Sequence, residues 1–320
     1  MSKRKKCEYL KDPEIFRKIL GNYDNFIFDC DGVLWNNNEV NAGVKELLDK
    51  LRKMNKKILI ATNNSSKSRK EYQEKCGKLD LNVKLEEIYC TVHVICYYLE
   101  NYFKFQNKKV FLIGSESFKK ELEKINVKVL PFGPEHLEGD VADWINKTSI
   151  DPEVEGVIVG FDKNFNYYKC LKAVSYLKNP RHLFIATNTD ELFPSKSETV
   201  VIPGTGSIVA CVEHSACRKP WISGKPHDPM FQCMIHEHKL DLSKTLFVGD
   251  RLNTDILGAN RKGMLTILVL SGVTSKEDVE KLTSSQGLHP PGMGYINGDV
   301  DLLYPDYYTD SLSILNSFLV

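Results

Sequence analysis

Short apolar runs alternate with amphipathic segments along the chain from about residue 24 onwards. Two of the apolar runs, 26–29 and 57–64, have the length and composition of buried strands. Each is followed by a segment with helical periodicity, at 44–54 and at 68–78. Because strands and helices alternate in this way, the pattern predicts an α/β fold built on a parallel sheet.

The same alternation returns in the rest of the chain. It is interrupted between about residues 131 and 153, where a stretch rich in Pro, Gly and acidic residues predicts a loop with one short helix. The further predicted elements are strands at 110–113, 128–130, 156–162, 182–187, 244–250 and 265–272, and helices at 118–125, 167–177, 208–217 and around 255–262.

Length and composition narrow the class of protein. The chain has 320 residues, which is more than one typical domain, so we expect two. It carries 43 basic and 42 acidic residues, and this balance argues against a dedicated nucleic-acid-binding protein. No apolar run approaches the roughly 18 residues of a membrane span, and the nine cysteines include no C-x-x-C pair. We therefore expect a cytoplasmic protein with reduced thiols that binds neither nucleic acid nor membrane.

Two acids, Asp29 and Asp31, stand directly after the first predicted strand and are followed by Gly32. Open α/β sheets bind their ligands at the edge formed by the carboxyl ends of their strands. Two carboxylates at this edge can hold a hard cation such as Mg²⁺, or they can divide nucleophilic and acid–base work between them. The spacing alone leaves both functions open.

Three polar residues, Thr62, Asn63 and Asn64, occupy the end of the second predicted strand. A hydroxyl and main-chain N–H groups at such a turn can bind an oxyanion such as phosphate. The same residue types are equally suited to capping the helix that follows. The local pattern therefore favours neither function.

Two further motifs lie late in the chain. Lys225 stands at the start of a predicted helix, where its ammonium group would offset charge near a carboxylate–phosphate site, although a lysine in a turn is usually exposed. Asp250 ends another predicted strand. Asp255 follows at the beginning of a helix, where an acid also complements the helix dipole. Taken singly, each motif is typical of an ordinary turn.

The order of these motifs is more informative than any one of them. An acid–x–acid pair, then Thr, then Lys, then Gly-Asp-x-x-x-x-Asp follow one another, with the acids and the Thr at predicted strand ends. In this order the chain resembles the haloacid dehalogenase superfamily of aspartate-nucleophile phosphatases. The resemblance is closest to the branch of phosphoglycolate phosphatase, 4-nitrophenylphosphatase and vitamin B6 phosphate phosphatase. It covers nearly the whole chain and is carried by DCDGVLW (29–35), ATNNS (61–65), GFDKNFNYYK (160–169), PGTGS (203–207), GKP (224–226), GDRLNTDI (249–256) and PDYYTDS (305–311).

The resemblance implies a role for each acid. Asp29 is the expected nucleophile that forms an aspartyl-phosphate. Asp31 is the expected acid and base, which protonates the leaving oxygen and then activates water. Mg²⁺ is the expected cofactor, held by Asp29, Asp250 and the main-chain carbonyl of Asp31. Asp255 is expected to act through water or by holding Lys225.

The resemblance also implies how the phosphoryl group binds. Thr62, the region of Asn63 and Asn64, and Lys225 are expected to bind it and to stabilise its charge. Asp31 favours a phosphatase or a phosphomutase over a dehalogenase, because a halide leaving group needs no proton. Mutases tend to insert a small helical cap after the first motif, and here that motif and the Thr motif lie close in sequence.

The fold implied by the resemblance is a Rossmann-like, doubly wound parallel-sheet core interrupted by a large inserted α/β cap domain. The predicted boundaries are 1–96 and 204–320 for the two core segments and 97–203 for the cap. A cap of this size is expected to cover the metal site, exclude water and select substrates. A homodimer formed through the cap is a further expectation.

Small phosphorylated metabolites are the expected substrates, with 2-phosphoglycolate or phospholactate first and 4-nitrophenyl phosphate as an artificial ester. Pyridoxal phosphate is the alternative. Relatives that cleave vitamin B6 phosphate have a His where this chain has Phe193, and core packing would explain that Phe equally well. A phosphomutase and a non-catalytic binding protein on the same fold are further alternatives, and the intact set of strand-end acids, Thr and Lys counts against the latter.

Overall fold

The computed structural model describes residues 7–131, 137–193, 199–284 and 300–319. Within these ranges the chain is built from parallel strands and helices, so the predicted α/β class is confirmed. No helix formed by these residues combines the length and the apolar character that a membrane span requires.

Strands and helices alternate along the described residues. In chain order the strands are β1 (Glu8–Tyr9), β2 (Asn25–Phe28), β3 (Trp35–Asn36), β4 (Glu39–Val40), β5 (Lys57–Thr62), β6 (Ile88–Cys90), β7 (Lys109–Ile113), β8 (Lys128–Val129), β9 (Val154–Val159), β10 (Leu183–Ala186), β11 (Trp221–Ile222), β12 (Thr245–Gly249), β13 (Leu265–Val269) and β14 (Tyr307–Thr309). The helices are α1 (Pro13–Asn22), α2 (Val44–Lys53), α3 (Arg69–Lys78), α4 (Thr91–Asn101), α5 (Glu116–Lys124), α6 (Val141–Lys147), α7 (Tyr167–Leu177), α8 (Thr205–Ala216), α9 (Asp228–His238), α10 (Leu257–Arg261), α11 (Lys276–Thr283) and α12 (Leu312–Ser317). A π-helical turn, Leu252–Ile256, leads directly into α10.

The chain divides into two compact units. The first unit comprises residues 1–62, 70–89 and 225–320, and the second unit comprises residues 63–69 and 90–224. Each unit is built around a parallel sheet of its own. The second unit interrupts the first in sequence, as expected of an inserted α/β domain.

The first unit contains a seven-stranded sheet with the order β1-β14-β13-β12-β2-β5-β6. Strand β2 lies in the interior of this sheet and runs parallel to both neighbours, and Phe28 pairs with Ile60 on β5 and with Val248 on β12. The residues of β2 and β12 are buried throughout, as expected for central strands of a parallel sheet with helices on both faces. This register brings the carboxyl ends of β2, β5 and β12 to one edge of the sheet.

The second unit contains a five-stranded sheet with the order β11-β10-β9-β7-β8, and its pairs are parallel. Helices α7 and α8 pack against each other. Their apolar side chains share one core with those of β7, β9 and β10, which includes Phe111, Val157, Tyr176, Phe184, Ile208, Val209 and Val212.

The boundaries of the second unit differ at both ends from those predicted for the insertion, 97–203. At the carboxyl end, α8 contributes part of its apolar face to the core of the second unit, and β11 pairs with β10. At the amino end, α4 begins at Thr91 and packs against α5. Tertiary contacts thus place residues 90–96 and 204–224 in the second unit. A local sequence pattern does not reveal such contacts.

The predicted strands and helices recur in the structure, most closely α7, which spans the predicted 167–177. The short helix predicted within 131–153 is α6. The pattern does not indicate α4, because this helix is buried over most of its length and lacks the polar face that marks a helix at a surface. It also does not indicate β14, which has only three residues.

Candidate active site

Three aspartates of the first unit meet at the carboxyl edge of its sheet. Asp29 follows β2, and its main-chain N–H donates to the carbonyl oxygen of Val248 at 2.9 Å, so the pairing with β12 extends to this residue. Asp250 follows β12, and Asp255 lies in the π-helical turn that comes next. Carboxylate oxygens of the three aspartates lie within 4.8 Å of one another. The acids predicted at separate strand ends are therefore brought together.

Two glycines make room for the carboxylate of Asp250. Gly32 has a φ of +89°, and a Cβ atom there would lie 2.4 Å from Oδ2 of Asp250. A Cβ atom on Gly272 would lie 1.9 Å from the same oxygen. The main-chain N–H of Val273 donates to Oδ2 at 2.7 Å. Glycine is required at position 32 for both reasons, because the left-handed φ and the close approach of Asp250 exclude a side chain.

Lys225 is the cation of this cluster. Its side chain is 2% exposed, and its Nζ lies 2.5 Å from Oδ1 of Asp29 and 2.8 Å from Oδ1 of Asp255. Nζ also donates to the carbonyl oxygen of Ala61 at 2.8 Å. Lys225 thus donates hydrogen bonds to Asp29 and Ala61 and forms an ion pair with Asp255. Lys225 is thus buried among acids rather than exposed in a turn.

The cluster holds more negative than positive groups, three carboxyls against one ammonium. Burial raises the pKa of Asp29 well above its ordinary value; Lys225 lowers this pKa, and the neighbouring Asp255 and Asp250 raise it further. Burial, together with Asp255, also raises the pKa of Asp250 to about 7. Burial alone would lower the pKa of Lys225, but Asp255 and Asp29 raise it overall. A buried surplus of carboxyl oxygens is the environment that a divalent cation stabilises.

Asp255 is engaged by the main chain as well as by Lys225. Its Oδ2 accepts hydrogen bonds from the main-chain N–H groups of Asp250 and Arg251, both at 3.1 Å. A Cβ atom on Gly249 would lie 2.2 Å from the Cβ of Asp255, so this turn requires glycine. Both carboxylate oxygens of Asp255 are thus engaged, and its role in the site remains a prediction. Asp29 and Asp250 are the side chains that could bind a cation.

The predicted phosphate-binding residues are divided between the two units. Thr62 ends β5 in the first unit and is buried. Asn63 belongs to the second unit, where its Nδ2 donates to Oδ1 of Asp190 at 2.9 Å. Asn64 also belongs there, and its Oδ1 accepts from the main-chain N–H and the hydroxyl of Ser66 at 2.8 and 2.7 Å. The side chain of Asn64 thus stabilises a turn, and phosphate binding by the three residues remains a prediction.

Asp31 has different neighbours from the other acids of the site. Nε1 of Trp35 donates to its Oδ1 at 2.9 Å, and Nζ of Lys75 lies 3.8 Å from the same oxygen. The side chain of Asp31 is 30% exposed, whereas that of Asp29 is 12% exposed. The more open position suits a group that exchanges protons with substrate and water. Coordination of a metal by the main-chain carbonyl of Asp31 remains a prediction.

Comparisons with known proteins identify the family. The chain matches the model of the haloacid dehalogenase-like hydrolases over residues 26–128 and a HAD-hydrolase-like model over residues 222–290. It is 36% identical to the glycerol-3-phosphate phosphatase of Rattus norvegicus over 304 residues, which are 93% of this chain and 91% of that protein. The chain belongs to the haloacid dehalogenase-like hydrolases.

Other relatives of this hydrolase are also named as phosphatases. Identity is 34% to the 4-nitrophenylphosphatase of Schizosaccharomyces pombe, over 96% of this chain and 97% of that protein. It is 36% to phosphoglycolate phosphatase 1A, chloroplastic, of Arabidopsis thaliana, over 92% and 77%. The structure is similar to a p-nitrophenyl phosphatase from Archaeoglobus fulgidus, with a TM-score of 0.74, 26% identity and coverage of 92% of this chain and 99% of that one. The predicted branch is confirmed, and the hydrolase is a phosphatase.

Two residues that contact Asp31 in this phosphatase were not singled out by the sequence pattern. Trp35 closes the DCDGVLW motif four residues after Asp31, so the motif itself contained a signal for it. Lys75 lies on α3, which carries several other charged residues, and nothing in the local sequence distinguishes it from them. Only the packing of α3 identifies Lys75 as a residue of the site.

Proposed function

We propose that the protein is a Mg²⁺-dependent phosphomonoesterase that acts through an aspartyl-phosphate intermediate. The observation that carries the proposal is the buried cluster at the sheet edge, in which Lys225 bridges Asp29 and Asp255 close to Asp250. Burying this many charged groups is costly, and the resulting shifts in pKa are typical of functional sites.

Asp29 is the proposed nucleophile. One of its carboxylate oxygens attacks the phosphorus of the ester, and the bond from phosphorus to the leaving oxygen breaks as the new O–P bond forms. Lys225 binds Oδ1 of Asp29 and so fixes the orientation of the attacking carboxylate. Asp31 donates a proton to the leaving oxygen, and the alcohol departs.

The second step returns the enzyme to its starting state. Asp31, now a carboxylate, accepts a proton from a water molecule as that water attacks the phosphorus of the aspartyl-phosphate. The bond between phosphorus and Asp29 breaks, inorganic phosphate is released, and Asp31 is again protonated. Dividing the displacement into two steps gives each one an activated nucleophile.

The side chains at the sheet edge fit Mg²⁺. Asp29 and Asp250 offer hard oxygen ligands, and the cluster of three acids contains neither thiolate nor imidazole, which zinc would favour. With the main-chain carbonyl of Asp31 they would hold the ion. When bound, Mg²⁺ supplies positive charge that offsets the repulsion between the carboxylates and the phosphate dianion.

The phosphate contacts and the role of the second unit are part of the proposal. The hydroxyl of Thr62, the ammonium of Lys225 and the main-chain N–H groups of Asn63 and Asn64 are the proposed groups that stabilise the transferring phosphoryl group. The second unit is the proposed cap that excludes water and selects substrates. A homodimer through this unit and a cytoplasmic location complete the proposal.

Small phosphate esters are the proposed substrates. 2-Phosphoglycolate and the related phospholactate come first, and glycerol 3-phosphate is the second candidate, because relatives at 36% identity are named for phosphoglycolate and for glycerol 3-phosphate. Pyridoxal phosphate remains the alternative. The ring of Phe193 contacts the ring of Phe161, with centroids 4.6 Å apart, which supports the explanation of Phe193 as a packing residue of the second unit.

The test is phosphate release by the purified protein from these four esters and from 4-nitrophenyl phosphate, with and without Mg²⁺. We expect Mg²⁺-dependent turnover of 4-nitrophenyl phosphate and a higher kcat/KM for one of the small alkyl esters than for pyridoxal phosphate. A preference for pyridoxal phosphate would overturn the proposed substrate class. Absence of turnover on every ester would overturn the proposed activity and favour a non-catalytic binding protein.

A further inference from the structure

We propose that Trp35 and Lys75 are positioning residues that confine the transferable proton of Asp31 to its Oδ2 atom. This inference rests on the proposed function, in which Asp31 protonates the leaving oxygen. The two carboxyl oxygens of Asp31 are chemically equivalent in isolation, and Trp35 and Lys75 make them different in the protein.

The two oxygens of Asp31 differ because one of them, Oδ1, accepts the indole hydrogen bond and forms the ion pair with Lys75. Nε1–H of Trp35 donates to Oδ1 at 2.9 Å, and Nζ of Lys75 lies 3.8 Å from the same oxygen. An indole N–H and an ammonium group can only donate hydrogen bonds. A proton on Oδ1 would therefore point at other hydrogens, and the resulting hydroxyl oxygen would accept the Trp35 hydrogen bond less well than a carbonyl oxygen does. Whenever Asp31 is protonated, the proton resides on Oδ2.

Trp35 is held firmly enough to orient the carboxyl group. Its side chain is fully buried, and its ring stacks on that of Tyr72 with centroids 6.4 Å apart and an interplanar angle of 21°. Its main-chain N–H donates to the carbonyl of Cys30 at 3.2 Å, and its carbonyl accepts from Gly32 at 2.8 Å. The indole N–H therefore has a defined direction toward Asp31.

One face of α3 contacts Trp35 at two points. Tyr72 and Lys75 are three residues apart on this helix, so their side chains project from the same face. Tyr72 stacks on the Trp35 ring, and Nζ of Lys75 lies 4.3 Å from the centroid of that ring, within the range of a cation–π contact. Lys75 thus contacts both the indole and Oδ1 of Asp31. Both donors act on Asp31, so they position the acid and take no part in the bond changes.

Without Trp35 or Lys75, we expect Asp31 to donate its proton to the leaving group less efficiently. The carboxyl group would rotate freely about its terminal torsion, and Oδ1 and Oδ2 would then share the proton. The loss should depend on the leaving group, because an alkoxide such as that of glycerol 3-phosphate needs a proton whereas 4-nitrophenolate leaves largely without one. A purely structural defect would lower turnover of both esters alike.

The first experiment compares Trp35→Phe with wild type on glycerol 3-phosphate and on 4-nitrophenyl phosphate. The variant keeps an aromatic ring against Tyr72 and removes only the N–H and part of the ring. We expect kcat on glycerol 3-phosphate to fall by roughly tenfold to a hundredfold, with KM within about twofold, and kcat on 4-nitrophenyl phosphate to fall less than about threefold. The matched control is Trp144→Phe, which removes an indole hydrogen bond to the carbonyl of Gly139 in the second unit.

Because Trp35 is buried, two further variants keep the test decisive if Trp35→Phe fails to fold. Lys75→Met removes the positive charge beside Oδ1 from a less buried position and should show the same dependence on the leaving group, with a smaller loss. Replacement of Trp35 by 3-benzothienylalanine preserves the shape of the ring and removes the N–H alone. Lys108→Met, which breaks an exposed ion pair with Glu155, is the matched control for Lys75→Met.

A double variant tests whether Trp35 acts through Asp31. In an Asp31→Asn background the change Trp35→Phe should have almost no further effect on kcat, because the proton that Trp35 directs is already gone. An equal loss in both backgrounds, or equal losses on both esters, would overturn the inference and leave the proposed function intact. Failure of the wild-type protein to hydrolyse any phosphate ester would instead overturn the proposed function.

Discussion

Among the residues that the structure describes, two lysines are buried against aspartates, one in each unit, and the charged groups around them differ. In the second unit, Nζ of Lys169 lies 2.5 Å from Oδ2 of Asp162, and the two side chains are 6% and 2% exposed. In the first unit, Lys225 is equally buried but is shared between Asp29 and Asp255. The second unit therefore holds a balanced pair, whereas the first unit holds one ammonium among several carboxyls.

The balanced pair has a structural explanation. Oδ1 of Asp162 accepts from the main-chain N–H of Asn164 at 2.8 Å, and Oδ1 of Asn166 accepts from that of Lys169 at 3.0 Å. These contacts hold the turn between β9 and α7, so the GFDKNFNYYK motif stabilises the second unit. Buried charge does not by itself indicate a catalytic site. The cluster at the sheet edge is distinguished by three buried carboxyl groups that lie close together around one buried ammonium group.

Among the substitutions, we expect the largest effect for Asp29→Asn. This change removes the attacking oxygen with almost no change in volume, so kcat should fall by about 10³-fold or more on every ester. Circular dichroism and the melting temperature should show a folded protein. Turnover within tenfold of wild type would contradict the role of Asp29 as the nucleophile.

A smaller loss is expected for Lys225→Met, which leaves the three acids of the cluster without their cation. We expect kcat on 4-nitrophenyl phosphate to fall by about 10²–10³-fold, the usual effect of removing one preorganised donor from an active site. The variant should be assayed at a temperature at which thermal unfolding shows it to be folded. An unchanged kcat would show that Lys225 only balances buried charge, as Lys169 does.

Removal of Mg²⁺ should abolish turnover. The affinity of the protein for Mg²⁺ should also depend on pH. Mg²⁺ binds the ionised carboxylate, and the pKa of Asp250 in the ion-free protein is about 7 because of burial and the nearby Asp255. Below that pH protons compete with the ion, so lowering the pH from about 8 to about 6 should weaken Mg²⁺ binding roughly tenfold. Calorimetric titration measures this, and Asp250→Asn should bind weakly at both pH values.

Removal of bound metal with a chelator tests the proposed metal site at the sheet edge. Full activity after exhaustive chelation would exclude a need for the ion. Mn²⁺ should replace Mg²⁺ weakly, and Ca²⁺ should inhibit because its larger and looser shell of ligands misplaces the nucleophile.

The smallest effect on turnover is expected for Lys169→Met, the counterpart of Lys225→Met. The change leaves Asp162 buried without its cation, so it should destabilise folding by about 3–5 kcal/mol, while kcat on 4-nitrophenyl phosphate should change less than about threefold. Thermal unfolding and steady-state kinetics measure both. The double variant Asp162→Asn/Lys169→Met should recover much of the lost stability. A loss of kcat as large as that of Lys225→Met in folded protein would contradict the structural explanation of the pair.

Much of the fold was predictable because strands and amphipathic helices are local patterns. Central strands such as β2 and β12 are continuous apolar runs that end abruptly at an acid, and α7 has clear helical periodicity. The limits of the second unit were not predictable in this way. Helices α4 and α8 are apolar segments that could pack against either sheet, and only the side chains they meet decide between the units.

The candidate site shows the same division. The strand-end aspartates and Thr62 were recognisable because the sheet register carries residues at strand ends to one edge. The contacts of Asp31 with Trp35 and Lys75 were not recognisable, although the tryptophan lies within the same motif. Such contacts depend on the direction in which a side chain leaves a turn and on the packing of a helix from another part of the chain.

By itself, the sequence determined the α/β class, the order of the elements and the residue types that chemistry at the sheet edge requires. Those properties are local, since each depends on a short run of residues and on the direction of one strand. The tertiary structure alone decided that Lys225 is shared between Asp29 and Asp255, that Asp31 is held by donors from two elements, and where the second unit begins and ends. Distances between side chains that are remote in sequence exist only after the sheet has formed and the helices have packed on it, because burial and charge balance are properties of the assembled core.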